Sequence, residues 1–235
     1  MENSVTQTPA THETAPLLVA IDGPAGSGKS SVSRAVAEAL SYGILDTGAA
    51  YRALAWAALE ADVNLDDPIA VEEVLDDWGF SISLKGAQVV IVCGADATHE
   101  IRDPGVSKQV SRVSQHAGVR ERLNRMFLSI VAESGLPGVV IEGRDITTVV
   151  APDAPVRILM TASPEVRAKR RTGELSGSSE AEVLAAILER DAKDQLVVDF
   201  MNPAPGVTLI DTTELDFAQS VQAVIDVVRA AEARA

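Results

Sequence analysis

"LLVAIDGPAGSGKSSVSRAVAEAL", Leu17 to Leu40, governs how the rest of the 235-residue chain is read. Leu17 to Ile21 is a short unbroken apolar run, the pattern of a parallel strand covered on both faces. A glycine-rich turn follows, and then Val32, Ala35, Val36, Ala39 and Leu40 recur at helical spacing. Between strand and helix, Gly23, Gly28, Lys29 and Ser30 satisfy the pattern G-x-x-x-x-G-K-[ST] in "GPAGSGKS". Glycine is needed there because backbone N–H groups must converge on phosphate oxygens with no Cβ in the way. The helix aims its positive end at the same oxygens. Lys29 is placed to reach the β- and γ-phosphates and the Ser30 hydroxyl to bind Mg²⁺. The stretch Gly23, Pro24, Ala25, Gly26, Ser27, Gly28, Lys29, Ser30 and Ser31 is therefore expected to cradle a nucleoside triphosphate.

Working outward, the alternation repeats. "GILD" at 43–46 reads as a strand and Ala49 to Ala61 as a helix; "GVVIEGRD" at 138–145, "VRILMTA" at 156–162 and "VTLID" at 207–211 read as further strands. Helical patterns cover Gly118 to Glu133, Glu180 to Ala192 and Phe217 to Ala233. Apolar runs interleaved with helices predict an α/β fold with a five-stranded, mostly parallel sheet flanked by helices. Residues 79–98, "GFSISLKGAQVVIVCGADAT", break that rhythm and read as two or three antiparallel strands with Gly-containing turns, preceded by a helix around Ala70 to Trp78. The expected organisation is a disordered lead over 1–16, a core over 17–61 and 104–235 with a lid near 167–195, and a small inserted α+β subdomain over 62–103.

Bulk properties narrow the function classes. A formal net charge of −14 argues against a sequence-independent nucleic-acid binder, which needs a basic surface. Cys93 is the only cysteine, so no intrachain disulfide can form, and His12, His99 and His116 lack metal-ligand spacing. No segment approaches a membrane span and no signal-peptide pattern opens the chain, so the expected location is the cytoplasm. No long exposed apolar stripe is evident, and a monomer is expected. A GTPase would carry a base-reading Asn-Lys-x-Asp segment, which is absent; a small phosphotransferase is favoured.

Its acceptor must meet the γ-phosphate. Arginine outnumbers lysine 15 to 5, and the planar guanidinium suits bidentate phosphate contact. Arg52, after "LDTG", and Arg144, in "EGRD", both follow strand ends, where open parallel sheets place ligands. Glu142 either holds Mg²⁺ through water or pairs with Arg144, and Asp22, directly before the loop, could do either job. A phosphate acceptor is already ionised and needs no general base, which agrees with the lack of a histidine or serine triad.

At this point "IDGPAGSGKSS", "LDTGAAYRA", "IRDPGVSKQVSRVSQHAGVRERL", "EGRDITTVVAPDAPVRILMTASPEVRAKRR" and "ERDAKD" follow one another as in bacterial cytidylate kinases, and the resemblance runs from Leu17 to the C-terminus. It implies a P-loop nucleoside monophosphate kinase that closes around both substrates, with ATP and Mg²⁺ as donor and CMP or dCMP as acceptor, in pyrimidine nucleotide metabolism. It also implies that the insert is the enlarged monophosphate-binding subdomain of the bacterial enzymes. By resemblance, Thr47 and Arg52 hold the acceptor, while Ser111, Arg120, Arg144 and Asp145 contact its phosphate, sugar or cytosine. Arg190 and Asp194 match an arginine and an aspartate beside the lid and the sugar, and Arg167, Arg170 and Arg171 resemble arginines that close over the ATP phosphates. Lys29, Arg144 and Arg190 form the expected catalytic set. Two positions depart from the family pattern: Val197 stands where it has arginine, and Thr147 where it has glycine. The alternatives are a kinase of the same fold acting on UMP, AMP or a non-nucleotide acid, and a nucleotide-binding regulatory protein that has lost transfer.

Overall fold

The computed structural model describes residues 15–174, 179–195, 199 and 201–234, without the side chains of Glu174, Arg190, Lys193 and Asp194. The first third comprises β1 (Leu17–Asp22), α1 (Lys29–Leu40), β2 (Gly43–Asp46), α2 (Thr47–Glu60) and α3 (Pro68–Val74). Three short strands follow, β3 (Phe80–Ile82), β4 (Val90–Val92) and β5 (Ala95–Asp96), and then α4 (Pro104–Ser114) and α5 (Ala117–Ala132). The chain continues through β6 (Gly138–Gly143), β7 (Val156–Thr161), α6 (Pro164–Glu174), α7 (Glu180–Gln195), β8 (Thr208–Asp211) and α8 (Phe217–Glu232).

The main sheet has the order β2-β6-β1-β7-β8 and every pairing in it is parallel, so the five apolar runs are its five strands. Period-2 alternation divides the core into two layers. Ala20, Val139 and Ile141 face a cluster with Leu45, Leu54, Leu123 and Phe127, whereas Val19, Ile21, Val140 and Ile158 face Val32, Val36, Val224 and Val228 from α1 and α8. Both faces of the sheet are thus covered, which explains why its strands read as continuous apolar runs rather than alternating ones.

Residues 80–96 form a separate three-stranded antiparallel sheet, β3-β4-β5. It packs on α2, with Val90, Val92 and Ala97 buried against Ala49 and Ala53. The preceding helix begins earlier and ends earlier than its apolar spacing predicts: Asp67 caps it, accepting from the N–H of Ile69 and Ala70, and Pro68 occupies its first turn. α4 was not anticipated as a helix. Its start carries the same signature, Asp103 accepting from Gly105 N–H ahead of Pro104.

Parallel pairing fixes where the chemistry gathers. In register, Asp46 lies opposite Glu142 and Asp22 opposite Gly143, so β1, β2 and β6 deliver their C-terminal residues to one edge of the sheet. After β6 the chain makes a π-helical turn over Ile146–Val150, a rare form that concentrates at functional sites.

Candidate active site

The glycine-rich segment leaves β1 between two neighbours and has little room. A Cβ on Gly23 would come within 2.2 Å of the Met160 carbonyl oxygen, a contact no side chain tolerates. Gly28 takes φ 86° at the N-cap of α1, the left-handed region that favours glycine, and the space beside it is free of close contacts. Lys29, the first residue of α1, is buried and its Nζ lies 2.5 Å from Glu142 Oε2. The sequence points to Mg²⁺ or Arg144 as the partner of Glu142; the structure shows Lys29 paired with it, a partner that reading does not consider.

Asp22 has a different job. It is buried, and its carboxylate accepts from Ile146 N–H at 2.9 Å, Thr147 N–H at 2.7 Å and the Thr147 hydroxyl at 2.6 Å. Burial pushes its pKa up, against the opposing pull of those hydrogen bonds and of Lys29. Asp22 therefore binds the turn after β6 to the end of β1, and Thr147 supplies two of the three bonds, one of them through the hydroxyl that a glycine would lack.

The opposite wall is built from α2, α4, α5 and the end of β6. Asp46 caps α2 through Ala49 N–H at 3.0 Å and pairs with Arg52 at 2.9 Å. Burial works to raise Asp46, but Arg52 and Lys29 outweigh it and hold the carboxyl below its usual range. Thr47 is buried and its hydroxyl donates to the Glu142 carbonyl at 2.8 Å. Arg120 donates to the carbonyls of Ser114 and Gln115, both at 2.9 Å, which satisfies the C-terminal end of α4 and fixes the arginine's position. Asp145 is pushed up to about 6, first by burial and then by the nearby charge of Asp22, with Arg120 opposing. Tyr51 is also pushed up, by burial and by Asp145.

These walls enclose one cleft of about 870 Å³, large enough for nucleotide-sized ligands. Of the sequence-predicted site residues, Pro24, Ala25, Gly26, Gly28, Lys29, Ser30, Ser31, Thr47, Arg52, Ser111, Arg120, Glu142, Arg144, Asp145 and Arg171 line it. Gly23 and Ser27 belong to the loop but not to that lining. Arg167 and Arg170 lie behind the loop: Arg167 is 1% exposed and pairs with Asp191 at 2.5 Å, and Arg170 donates to Thr212. The side chains of Arg190 and Asp194, and all of Val197, lie outside the described residues.

Sequence reasoning missed Arg34, Asp46, Tyr51, Arg102 and Arg112, which line the same cleft. Asp46 could have been found as a helix cap ahead of Thr47-Gly48, and Tyr51 as the neighbour of Arg52. Eight basic and four acidic side chains line the cleft of a chain whose net charge is −14. The surplus of positive charge in a concave site favours anions.

Among the described residues no group of three His, Cys, Asp or Glu could hold a metal ion. The donors that fit a hard cation are the Ser30 hydroxyl and the Glu142 carboxylate, both in the cleft. Such a pair suits Mg²⁺, which is usually bound by one or two protein oxygens together with substrate phosphates and water.

The model of the family described as cytidylate kinase matches residues 19–230. The chain belongs to the cytidylate kinase family. Its similarity to curated cytidylate kinases extends over nearly the whole length: 43% identity to that of Cutibacterium acnes, across 92% of this chain and 97% of that protein. To the cytidylate kinase of Streptomyces avermitilis the identity is 40%, across 97% of each. A solved protein of Thermus thermophilus superposes with TM-score 0.50 at 19% identity, covering 92% of this chain and 98% of that one, and shares the fold. A cytidylate kinase has to bring two phosphorylated nucleotides together, and the single cleft described above has both a phosphate loop and an arginine-lined wall.

Proposed function

We propose that the chain transfers the γ-phosphoryl group of ATP to CMP or dCMP, giving ADP and CDP or dCDP. The observation that carries this reading is the convergence, in one cleft of a family member, of the Gly23–Ser30 loop and Arg52, Arg120 and Arg144 from the facing wall. The loop N–H groups and the start of α1 hold the donor phosphates. Lys29 spreads positive charge toward the transferring group, and Glu142, its buried partner, keeps its Nζ at the cleft. Ser30, with Glu142 through water, would hold Mg²⁺, which neutralises charge on the β- and γ-oxygens when bound.

On the acceptor wall, Arg52 and Arg144 draw in the monophosphate. Ser111, Arg120 and Asp145 offer the donor and acceptor groups that a cytosine edge requires, with Thr47 fixing the wall behind them. Arg190 and Asp194 are assigned beside the sugar, and Arg171 toward the donor phosphates. The acceptor oxygen is ionised at neutral pH, so the chain's task reduces to alignment and charge neutralisation. Residues 62–103 are read as the monophosphate-side subdomain and 167–195 as the lid whose closure excludes water. The protein is read as a cytoplasmic monomer. No described helix is long and apolar enough to cross a membrane.

The deciding experiment measures ADP release from Mg²⁺–ATP with CMP, dCMP, UMP, AMP or no acceptor. Release that depends on CMP and dCMP is expected. Release with another acceptor would move the specificity, and ATP binding without acceptor-dependent release would replace the enzyme reading with a regulatory one.

A further inference from the structure

Three alternate carbonyl oxygens of the phosphate loop are each held by an arginine. Arg144 Nη1 donates to Gly23 O at 2.6 Å, Arg167 Nη1 to Ala25 O at 3.2 Å and Arg170 Nη1 to Ser27 O at 3.3 Å. The Thr212 hydroxyl accepts from Arg170 Nη1 at 2.9 Å and has its one proton to share between Thr161 O at 2.9 Å and Ser27 O at 3.2 Å, so it fixes Arg170 and lies against the loop. Arg167 and Arg170 stand one turn apart on α6, so a single helix face reaches two of the three oxygens.

Their guanidinium groups are fixed from other directions as well. Arg167 Nε donates to Ala162 O at 3.1 Å, and its Nη1 is 2.5 Å from Asp191 on α7. Arg170 Nη2 donates to Thr212 O at 2.7 Å and Leu215 O at 3.3 Å. Across a trans peptide, the C=O of one residue and the N–H of the next point in opposite directions, and no described peptide is cis. Holding the oxygens of Ala25 and Ser27 toward α6 therefore turns the N–H groups of Gly26 and Gly28 away from α6. Both of those glycines line the cleft.

We propose that Arg167 and Arg170, together with Thr212, are positioning residues for the donor phosphates: they hold the loop's peptide dipoles in their binding orientation from behind instead of touching the phosphates. The inference rests on the reading of the loop as a triphosphate cradle. Donors already oriented before the ligand arrives need no reorganisation when it binds, which is where their electrostatic value comes from. The ion pair of Arg167 with Asp191 makes α7 part of the same brace, so the lid-side helix and the loop share one buried contact.

The test is equilibrium binding of Mg²⁺–ATP, of inorganic tripolyphosphate and, separately, of CMP to the full chain and its variants. Thr212 is 0% exposed behind the loop, so its hydroxyl acts on the ligand only indirectly, through Arg170 and the Ser27 carbonyl. Thr212→Val is expected to weaken ATP and tripolyphosphate about threefold to tenfold, the range set by one lost hydrogen bond. Thr212→Ser should restore both, and CMP affinity should stay constant throughout. Arg170→Met should act in the same direction and more strongly. Loss in Arg170→Met with unchanged binding in Thr212→Val would overturn the proposal in favour of direct contact. So would a parallel fall in CMP affinity and melting temperature, which marks general loss of structure, or a wild-type chain that binds no polyphosphate. Should Thr212→Val not fold, Arg170→Lys decides. Lysine keeps the charge but not the fork, so tripolyphosphate affinity stays low if the role is positioning and returns if it is direct contact. Transfer to CMP is not the readout, so its absence would refute the proposed function and leave this measurement intact.

Discussion

The two walls of the cleft are made of different material. The donor wall is mostly backbone: one loop, the first turn of α1, and Lys29, all within nine consecutive residues. The acceptor wall is mostly side chain, drawn from α2, α4, α5 and the end of β6, which are separated by up to about a hundred residues in sequence. A backbone cradle is specific for phosphate and indifferent to what carries it. A wall of side chains can read a base, and it can be changed one residue at a time.

That contrast predicts that damage to the donor wall falls on the rate and damage to the acceptor wall on acceptor affinity. The largest effect is expected from Lys29→Met. Removing one preorganised positive donor from a transferring group costs about two to three orders of magnitude in kcat. The same change leaves Glu142 buried at 3% exposure without its partner. Stranding a buried charge destabilises by about 3–5 kcal/mol. Lys29→Met combined with Glu142→Gln separates the two losses: the melting temperature should recover and kcat should not. Recovery of both would place the lysine's importance in folding instead of transfer.

Next in size is Arg144→Ala on the acceptor wall. A charge-assisted hydrogen bond is worth about 1.5–3 kcal/mol, so KM for CMP should rise by roughly ten- to a hundredfold with a small change in KM for ATP. Initial rates over a matrix of both substrates give the comparison. Arg144 also holds the Gly23 carbonyl, so it belongs to both walls, and a rise in KM for ATP equal to that for CMP would assign it to the donor side.

Thr147→Val should have a smaller, indirect effect. It removes the hydroxyl bond to Asp22, and the expected loss of stability is about 1 kcal/mol, read from denaturant unfolding. The turn over Ile146–Val150 would still be held by the two backbone donors to Asp22. KM for CMP should therefore move less than twofold; a large rise would mean that the hydroxyl itself fixes the acceptor wall.

The same division explains what the sequence made legible. All five parallel strands and the loop were readable, because each is encoded by a contiguous run of residues with a local physical reason. The antiparallel segment over 80–96 was readable for the same reason. The helix α4 was missed although Val106, Val110 and Val113 have helical spacing, since polar residues dominate around them. The pairing of Lys29 with Glu142 spans 113 residues, and that of Asp22 with Thr147 spans 125, so no window contains them. Arg167 and Arg170 are assigned to the ATP phosphates by their resemblance to the arginines that close over them in the family. Their observed partners include backbone carbonyls of Ala25 and Ser27, and a carbonyl carries no residue identity for a sequence to display.

The effect that best separates the walls is in the pH response. Asp145 rises from the ordinary 3.8 to about 6 because burial and Asp22 disfavour its charge, with Tyr51 and Arg120 as its other neighbours. A raised folded-state pKa means that the native chain holds the proton more tightly than the unfolded one. The stability this confers is fully present below about pH 4 and is lost as pH rises through about 6, on the order of 3 kcal/mol in total for the bare site. If the carboxylate must be ionised to accept from the cytosine amino group, affinity for CMP should instead rise over the same interval. Stability and the Asp145-dependent part of acceptor binding would then run in opposite directions between about pH 4 and 6; the phosphates of CMP and tripolyphosphate also titrate at about pH 6, so the Asp145 part is the difference between the wild-type and Asp145→Asn profiles. Asp145→Asn should remove the stability trend and the Asp145 part of the CMP trend, and leave the tripolyphosphate profile as it was. A CMP profile that is the same in the wild type and in Asp145→Asn would show that Asp145 does not read the base through its charge.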